Sequence, residues 1–462
     1  RTMKWYEGIT RYQWLVLVVC CLGWIFDVFE GQIFVASMRD AMPALLGTGA
    51  DNPAVSKWND SAFGMFLLGG ALGGVFFGML SDRIGRAKTM VWTILFYSLF
   101  TCLSAFSKEP WHLVALRFLV AMGVGGEWAV ASAMVAEVMP KRSRAVMSSI
   151  FHASSVFGTL LAVAAIRLLI ANEEVNQSLA NAGFEGWRIG FAVGALPALL
   201  TIWIRWKMRE PDTWQAAKER ERKAGDSSEK TGKLSDLFDS ANLRNTIICV
   251  GLATIGLVTF WGIHIYGKNA LLEHAKTEAL VANGLDAGAT AAQKSEIWNV
   301  QAKSTIKKAE MTSMAINTIG GGLGLVLFGW ISNRLGRKGA FYLYHIAAFI
   351  CVIILFKILI PGGASAAVLM VFLPIFGFFT LGMHAGYAVY FPELYPTKLR
   401  GTGAGFGFNM GRLGTAAAFF GFAALANPPT PINKALILSP LYLLALALIF
   451  FARETRDSEL PE

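Results

Sequence analysis

GMLSDRIGR at residues 78–86 returns as GWISNRLGR at residues 329–337, an offset of 251. The glycines ahead of it repeat in step, with Gly69, Gly70 and Gly73 matching Gly320, Gly321 and Gly324. A second pattern, E-x-x-P-x-x-x-R, falls on Glu137, Pro140 and Arg144 and again on Glu393, Pro396 and Arg400, an offset of 256. Two patterns in one order at nearly one offset indicate a duplicated unit. Duplication of a multi-span unit is an architecture of secondary transporters.

The chain has 462 residues, of which 55% are hydrophobic and 16% charged, and its mean hydropathy is +0.49. Apolar runs of about twenty residues, the length that crosses a bilayer, recur along nearly the whole chain. They predict an all-α integral membrane protein with twelve helices, at 13–38, 60–81, 89–107, 111–138, 145–171, 187–208, 245–267, 311–333, 339–360, 367–391, 401–425 and 435–453. The repeats divide these into two pseudo-symmetric bundles, residues 1–208 and 244–462. A charged cytoplasmic linker (209–243) joins them, and a long external excursion (268–310) separates the seventh and eighth helices.

Net charge is +10, which raises the question of nucleic acid. The cations answer it by where they fall. Arg83, Arg86 and Lys88; Lys141, Arg142 and Arg144; Arg334, Arg337 and Lys338; and Lys398 and Arg400 crowd alternate connections, whereas the opposite ones hold few. That asymmetry is the positive-inside rule, and it places both termini in the cytoplasm. The five cysteines lie in apolar runs without metal-ligand spacing and read as packing residues. The N-terminal stretch lacks a signal peptide's short apolar core, and the first apolar run is long enough to be a true span. No cofactor, metal or nucleophile–base arrangement is indicated, so an enzyme is not expected.

The segment GMLSDRIGRAK (78–88) resembles the signature of the major facilitator superfamily between its second and third helices. Through the second copy and the twelve spans, the resemblance covers the whole chain. It implies an inner-face latch built from Asp82, Arg83 and Arg86 with Glu137 and Arg144. Asp82 can meet Arg144 or the positive end of a neighbouring helix. The second copy supplies Asn333, Arg334, Arg337, Glu393 and Arg400, and with Asn333 in place of an acid its latch should be weaker. GVGGEWAVASAMVAEVMPKRSR (123–144), PELYPTKLRGTG (392–403) and REPDTW (209–214) look like the metabolite/proton symporters of that superfamily, the aromatic-acid, sialate and monocarboxylate carriers. In the first helix, Val28 and Glu30 stand where the aromatic-acid carriers resemble D-G-x-D.

GWIFDVFEGQIF (23–34) puts Asp27 and Glu30 inside the first span. At 1.5 Å per residue, Asp27 lies about 20 Å, Arg412 about 17 Å and Glu127 about 15 Å from the inner ends of their helices. His384 and His152 fall at similar depth. In a core about 30 Å thick these groups sit near the midplane, where an isolated charge costs roughly 3 kcal/mol. They are therefore expected to pair or to line a wet cavity. Asp27, Glu30 and Glu127 are candidate proton-coupling acids. Arg412, with Asn409 one turn away, is the candidate substrate cation, since its planar fork matches a carboxylate; His384, His152, Trp261 and Tyr266 are candidate contacts. Permanent pairing of Arg412 with Asp27 or Glu30 is the structural alternative.

Together these readings point to a monomeric carrier in a bacterial inner membrane. It would take up a small organic anion, a mono- or aromatic carboxylate, with protons. Transport of a cationic or zwitterionic solute, and a non-transporting receptor on the same fold, are the alternatives.

Overall fold

The computed structural model describes residues 4–49, 52–165, 168, 173–181, 184–193, 196–224, 230–286, 288–423 and 430–462. Among them, nine helices are long and apolar enough to cross a membrane. One of these, Ser304–Leu359, spans 56 residues, about 84 Å of helix and far more than one crossing needs. It turns at Gly336, whose φ of 83° and ψ of 166° lie outside the helical region, and so it supplies two spans. Segments at 186–207 and 400–423, at the places expected for the sixth and eleventh helices, complete twelve.

We number these α1 (Arg11–Leu46), α2 (Pro53–Ile84), α3 (Arg86–Ser104) and α4 (Pro110–Val138). Next come α5 (Lys141–Ala165), α6 (in two described pieces, Gly186–Val193 and Ala198–Lys207), α7 (Leu243–Lys268), α8 (303–335) and α9 (337–359). The last three are α10 (Ala366–Leu394), α11 (Arg400–Ala423) and α12 (Ile432–Phe451). The outer parts expected for the fifth and eleventh helices, at 166–167, 169–171 and 424–425, lie outside the described residues. So do 194–195 in the sixth. α1 continues beyond the expected residue 38 because Arg39 and Asp40 end the apolar run without ending the helix; Gly47, at φ 61°, caps it. The linker holds a helix, Asp212–Ala224, and the excursion holds Ala270–Ala282 and Ala291–Glu296.

The contacts form two compact units. One comprises residues 1–254, 387–417 and 453–462, and the other 255–386 and 418–452. These units do not follow the two sequence halves, because the inner ends of α7 and α10 and most of α11 pack with the first six helices.

Local geometry shows the duplication directly. Ser81 Oγ donates to the Gly78 carbonyl at 2.8 Å, and in the second copy Ser332 Oγ donates to the Gly329 carbonyl at 3.0 Å. Arg144 Nε donates to the carbonyl eight residues back at 3.0 Å, and Arg400 Nε does the same at 3.0 Å. Gly85, at φ 113°, makes between α2 and α3 the break that Gly336 makes between α8 and α9; only glycine takes such backbone without strain.

The small residues of α2 position the site. A methyl group at Gly73 would sit 2.0 Å from the Met122 carbonyl of α4, so these two helices touch through backbone. On the adjoining face, methyls at Gly70 and Gly74 would meet Arg412 Nη1 at 2.3 Å and Asn409 Nδ2 at 2.0 Å. The glycine row at four-residue spacing is thus the groove in which the polar side chains of α11 lie.

Candidate functional site

The first unit carries two clusters of buried charge. The inner one lies where α2, α3, α4 and α11 meet. Asp82, at the end of α2, accepts from the Gly401 N–H at 3.1 Å, the Thr402 N–H at 2.7 Å and Thr402 Oγ1 at 2.6 Å. It therefore caps the positive end of α11, the second of the two partners the sequence allowed. Arg86 is fully buried between Asp82 (2.6 Å) and Glu137 (2.7 Å). Arg400 reaches the same Glu137 oxygen at 2.8 Å, so one carboxylate joins the cations of both repeats. Arg83 donates to the Gly232 carbonyl at 3.3 Å. In the second unit, Arg337 bonds Asn333 Oδ1 at 3.1 Å, a neutral contact where the first copy has an ion pair. Glu393 accepts from Thr455 at 2.6 Å.

The second cluster lies deeper. Asp27 is 2% exposed, and neither carboxylate oxygen has a hydrogen-bond partner among the described residues. Glu127, Glu30, Tyr97 and Arg412 are within electrostatic reach of it. Glu127 is fully buried; Thr93 bonds its Oε2, and Oε1 has no hydrogen-bond partner among the described residues. Gly23 of α1 makes the room, since a methyl there would sit 2.6 Å from Glu127 Oε1. Arg412 makes no ion pair among the described residues, its Nη1 has no hydrogen-bond partner, and its guanidinium lies 5.1 Å from the Phe66 ring. Asn409 donates to the Gly125 carbonyl at 3.2 Å and the Gly405 carbonyl at 3.0 Å, while its Oδ1 is buried without a hydrogen-bond partner.

Glu30 is placed differently from the other acids. Arg117 of α4 grips both its oxygens, at 3.1 and 3.0 Å, and Thr101 bonds it at 3.2 Å. The Arg117 guanidinium also lies 3.8 Å from the Phe34 ring and 4.4 Å from that of Phe66. Sequence reasoning missed Arg117, although an arginine inside HLVALRFLVAMG was a visible signal. Glu30→Gln leaves a buried guanidinium without its counter-charge, and a loss of about 3–5 kcal/mol is expected. Thermal unfolding in detergent measures it, and adding Arg117→Met should recover most of the loss.

His152 accepts from Trp128 Nε1 at 3.2 Å, and Trp24 Nε1 bonds its carbonyl at 3.2 Å. α5 is interrupted at Ser154, directly after this turn. Trp128 stacks on Phe408 with centroids 4.0 Å apart, so His152 belongs to an aromatic cluster beside the acids. In the second unit, residues 260–264 of α7 form a π-helical turn, a distortion frequent at functional sites. It presents His264, which sequence reasoning also missed. Its ring nitrogens meet Thr380 Oγ1 at 2.8 Å and Asn317 Nδ2 at 3.3 Å. Phe260 stacks on His264 at 5.2 Å and meets His384 edge-on at 5.4 Å. Trp261 packs on Phe260 at 5.3 Å, and Tyr266 is half-buried two residues beyond the turn.

Twelve spans, a duplicated inner motif and buried membrane charges narrow the fold, and one comparison decides it. The family model described as Major Facilitator Superfamily matches residues 33–419. The chain belongs to that superfamily. As a major facilitator it is a multi-pass membrane transporter and not an enzyme. It is similar to the sialic acid transporter of Escherichia coli (strain K12), with 27% identity over 90% of this chain and 87% of that protein. A cis,cis-muconate transport protein of Acinetobacter baylyi is 27% identical over 83% of this chain and 84% of its own length. The structure of the proton:xylose symporter XylE superposes with a TM-score of 0.71, covering 97% of this chain and 98% of that one at 17% identity, and it shows the fold.

Proposed function

We propose that this major facilitator imports an organic anion, a mono- or aromatic carboxylate, together with protons, across a bacterial inner membrane with both termini cytoplasmic. Arg412 carries the reading. A buried guanidinium with no ion pair among the described residues, lying in the glycine groove of α2 and within electrostatic reach of Asp27, is a preorganised site for a carboxylate. Relatives that carry sialic acid and muconate, both acids, support that choice.

Charge balance supports the coupling. The Glu30–Arg117 pair is self-neutral, which leaves Arg412 beside Asp27, and Asp27 in turn beside Glu127. Protonation of these two acids frees Arg412 to bind the substrate carboxylate, and the loaded site is then neutral at the depth where net charge is costliest. Asp27 and Glu127 thus hold the transported protons, and Glu30 sets the position of Arg117. The inner cluster of Asp82, Arg86, Glu137 and Arg400 acts as the cytoplasmic latch, undone and remade in each cycle of alternating access.

The test is uptake into proteoliposomes under an imposed inward proton gradient, with labelled benzoate and sialate as monocarboxylates and choline as a cation. Anion uptake that collapses with a protonophore is expected. Choline uptake that persists in Arg412→Ala and disappears in Asp27→Asn would overturn the anion assignment, and no flux of any solute would overturn transport by this site.

A further inference from the structure

α3 presents three hydroxyls, Thr93, Tyr97 and Thr101, at successive four-residue steps of about 6 Å along one face. Each is buried and each faces a different acid. Thr93 bonds Glu127, Tyr97 faces Asp27, and Thr101 bonds Glu30. From the cytoplasmic end outward, the order of the hydroxyls on α3 matches the order of the acids on α4 and α1.

Thr93 is the most informative rung. Its Oγ1 lies in bonding geometry with two acceptors, Glu127 Oε2 and the Met90 carbonyl at 2.9 Å. A hydroxyl has one hydrogen and can donate to only one of them. When Glu127 is ionised, Thr93 donates to it. When Glu127 is protonated, its O–H donates to Thr93 Oγ1, and the threonine hydrogen turns to the Met90 carbonyl. Both protonation states are bonded with no heavy atom displaced. Tyr97, whose hydroxyl has no hydrogen-bond partner among the described residues, stands ready to donate to ionised Asp27.

We propose that this hydroxyl ladder sets the proton affinity of the two carrier acids, with Thr93 the positioning residue for Glu127 and Tyr97 that for Asp27. The proposal rests on the reading that these acids carry the transported protons. The other ionisable groups that interact with them are Cys20 and Glu30 on α1 and Arg412 on α11, with Arg117 on α4 acting through Glu30 and Arg412.

The test reads protonation without substrate. Infrared difference spectra of the reconstituted full chain, titrated with pH, follow the carboxylic acid C=O band, and the part lost in Glu127→Gln belongs to Glu127. Thr93→Val removes the donor to the ionised form and the acceptor for the protonated one, and because the bond to the charged form is the stronger, the midpoint of that band should move alkaline by about one pH unit. Thr93→Ser keeps the rotating hydroxyl and should restore it. Tyr97→Phe should move the band lost in Asp27→Asn in the same direction, and it carries the test if Thr93→Val does not fold. Midpoints unmoved in both variants overturn the ladder. A wild-type chain in which neither acid titrates overturns the proton-carrier reading beneath it instead.

Discussion

Arg412→Ala should lower the initial rate of carboxylate uptake by about thirty-fold to several thousand-fold. Removing one partner of a desolvated charge pair costs roughly 2–5 kcal/mol, and each 1.4 kcal/mol is a factor of ten. The loss falls on substrate affinity first, because the guanidinium is the group that replaces water around the carboxylate. Arg412→Lys keeps the charge and loses the planar fork, so its deficit should be smaller, about ten-fold. The glycine groove supplies a second arm. A methyl at Gly70 would fall 2.3 Å from Arg412 Nη1, so Gly70→Ala displaces the same guanidinium without deleting it and should weaken uptake in the same direction. Carboxylate uptake unchanged in Arg412→Ala would mean that the cation serves only to balance Asp27 and Glu127, and the substrate assignment would fall.

What the sequence makes legible divides along a physical line. Contacts within one helical turn or one tight connection are written in adjacent residues. The Gly85 and Gly336 breaks, the Arg86–Asp82 pair and the weaker Arg337–Asn333 contact all follow from short patterns that occur twice. Depth is legible too, because rise per residue is constant, and it brought Asp27, Glu127 and Arg412 to one level. Partnership across helices is not legible in this way. Whether an acid on α1 meets Arg117 or Arg412 depends on helix rotation and on the spacing allowed by small residues, and both cations were chemically suitable. The Glu30–Arg117 pair, 87 residues apart in the chain, was therefore missed, and Arg412 alone was weighed as a partner for Glu30. His264 was hidden for another reason. The π-helical turn that presents it has no residue signature, and an isolated histidine in an apolar run reads as packing.

The boundary of the compact units shows the same limit on a larger scale. The repeats place the sequence division in the linker, yet most of α11 packs with the first unit. The reason lies in the groove described above. Gly70, Gly74 and Gly78 receive Arg412, Asn409 and the backbone at Gly401, and Asp82 caps the helix that carries them. A row of glycines seen in sequence is ambiguous between lipid-facing packing and a polar cradle, and only the partner helix distinguishes them.

Glu137→Ala should have the largest effect on the conformational cycle. One carboxylate holds two fully buried guanidiniums, Arg86 at 2.7 Å and Arg400 at 2.8 Å. Its removal leaves both in a site with no solvent to replace it. Breaking a buried pair in this way costs about 3–5 kcal/mol, and the whole cost falls on the conformation in which α3, α4 and α11 meet. An equilibrium between closed and open inner ends should then shift toward open by about two to three and a half orders of magnitude. The measurement is the reactivity of Ala129→Cys, a buried position on α4 that faces Gly405 of α11, in a chain whose five native cysteines have been replaced. A membrane-impermeant thiol reagent applied to the cytoplasmic face should label it much faster in Glu137→Ala than in the parent, and net uptake should fall because the latch no longer reforms. Glu393→Gln is the comparison. Its carboxylate accepts from Thr455, and Gln keeps an acceptor for that bond, so a smaller change in labelling is expected. If Glu137→Ala only lowers expression and labelling stays at the parent rate, Glu137 stabilises the fold without acting as a latch.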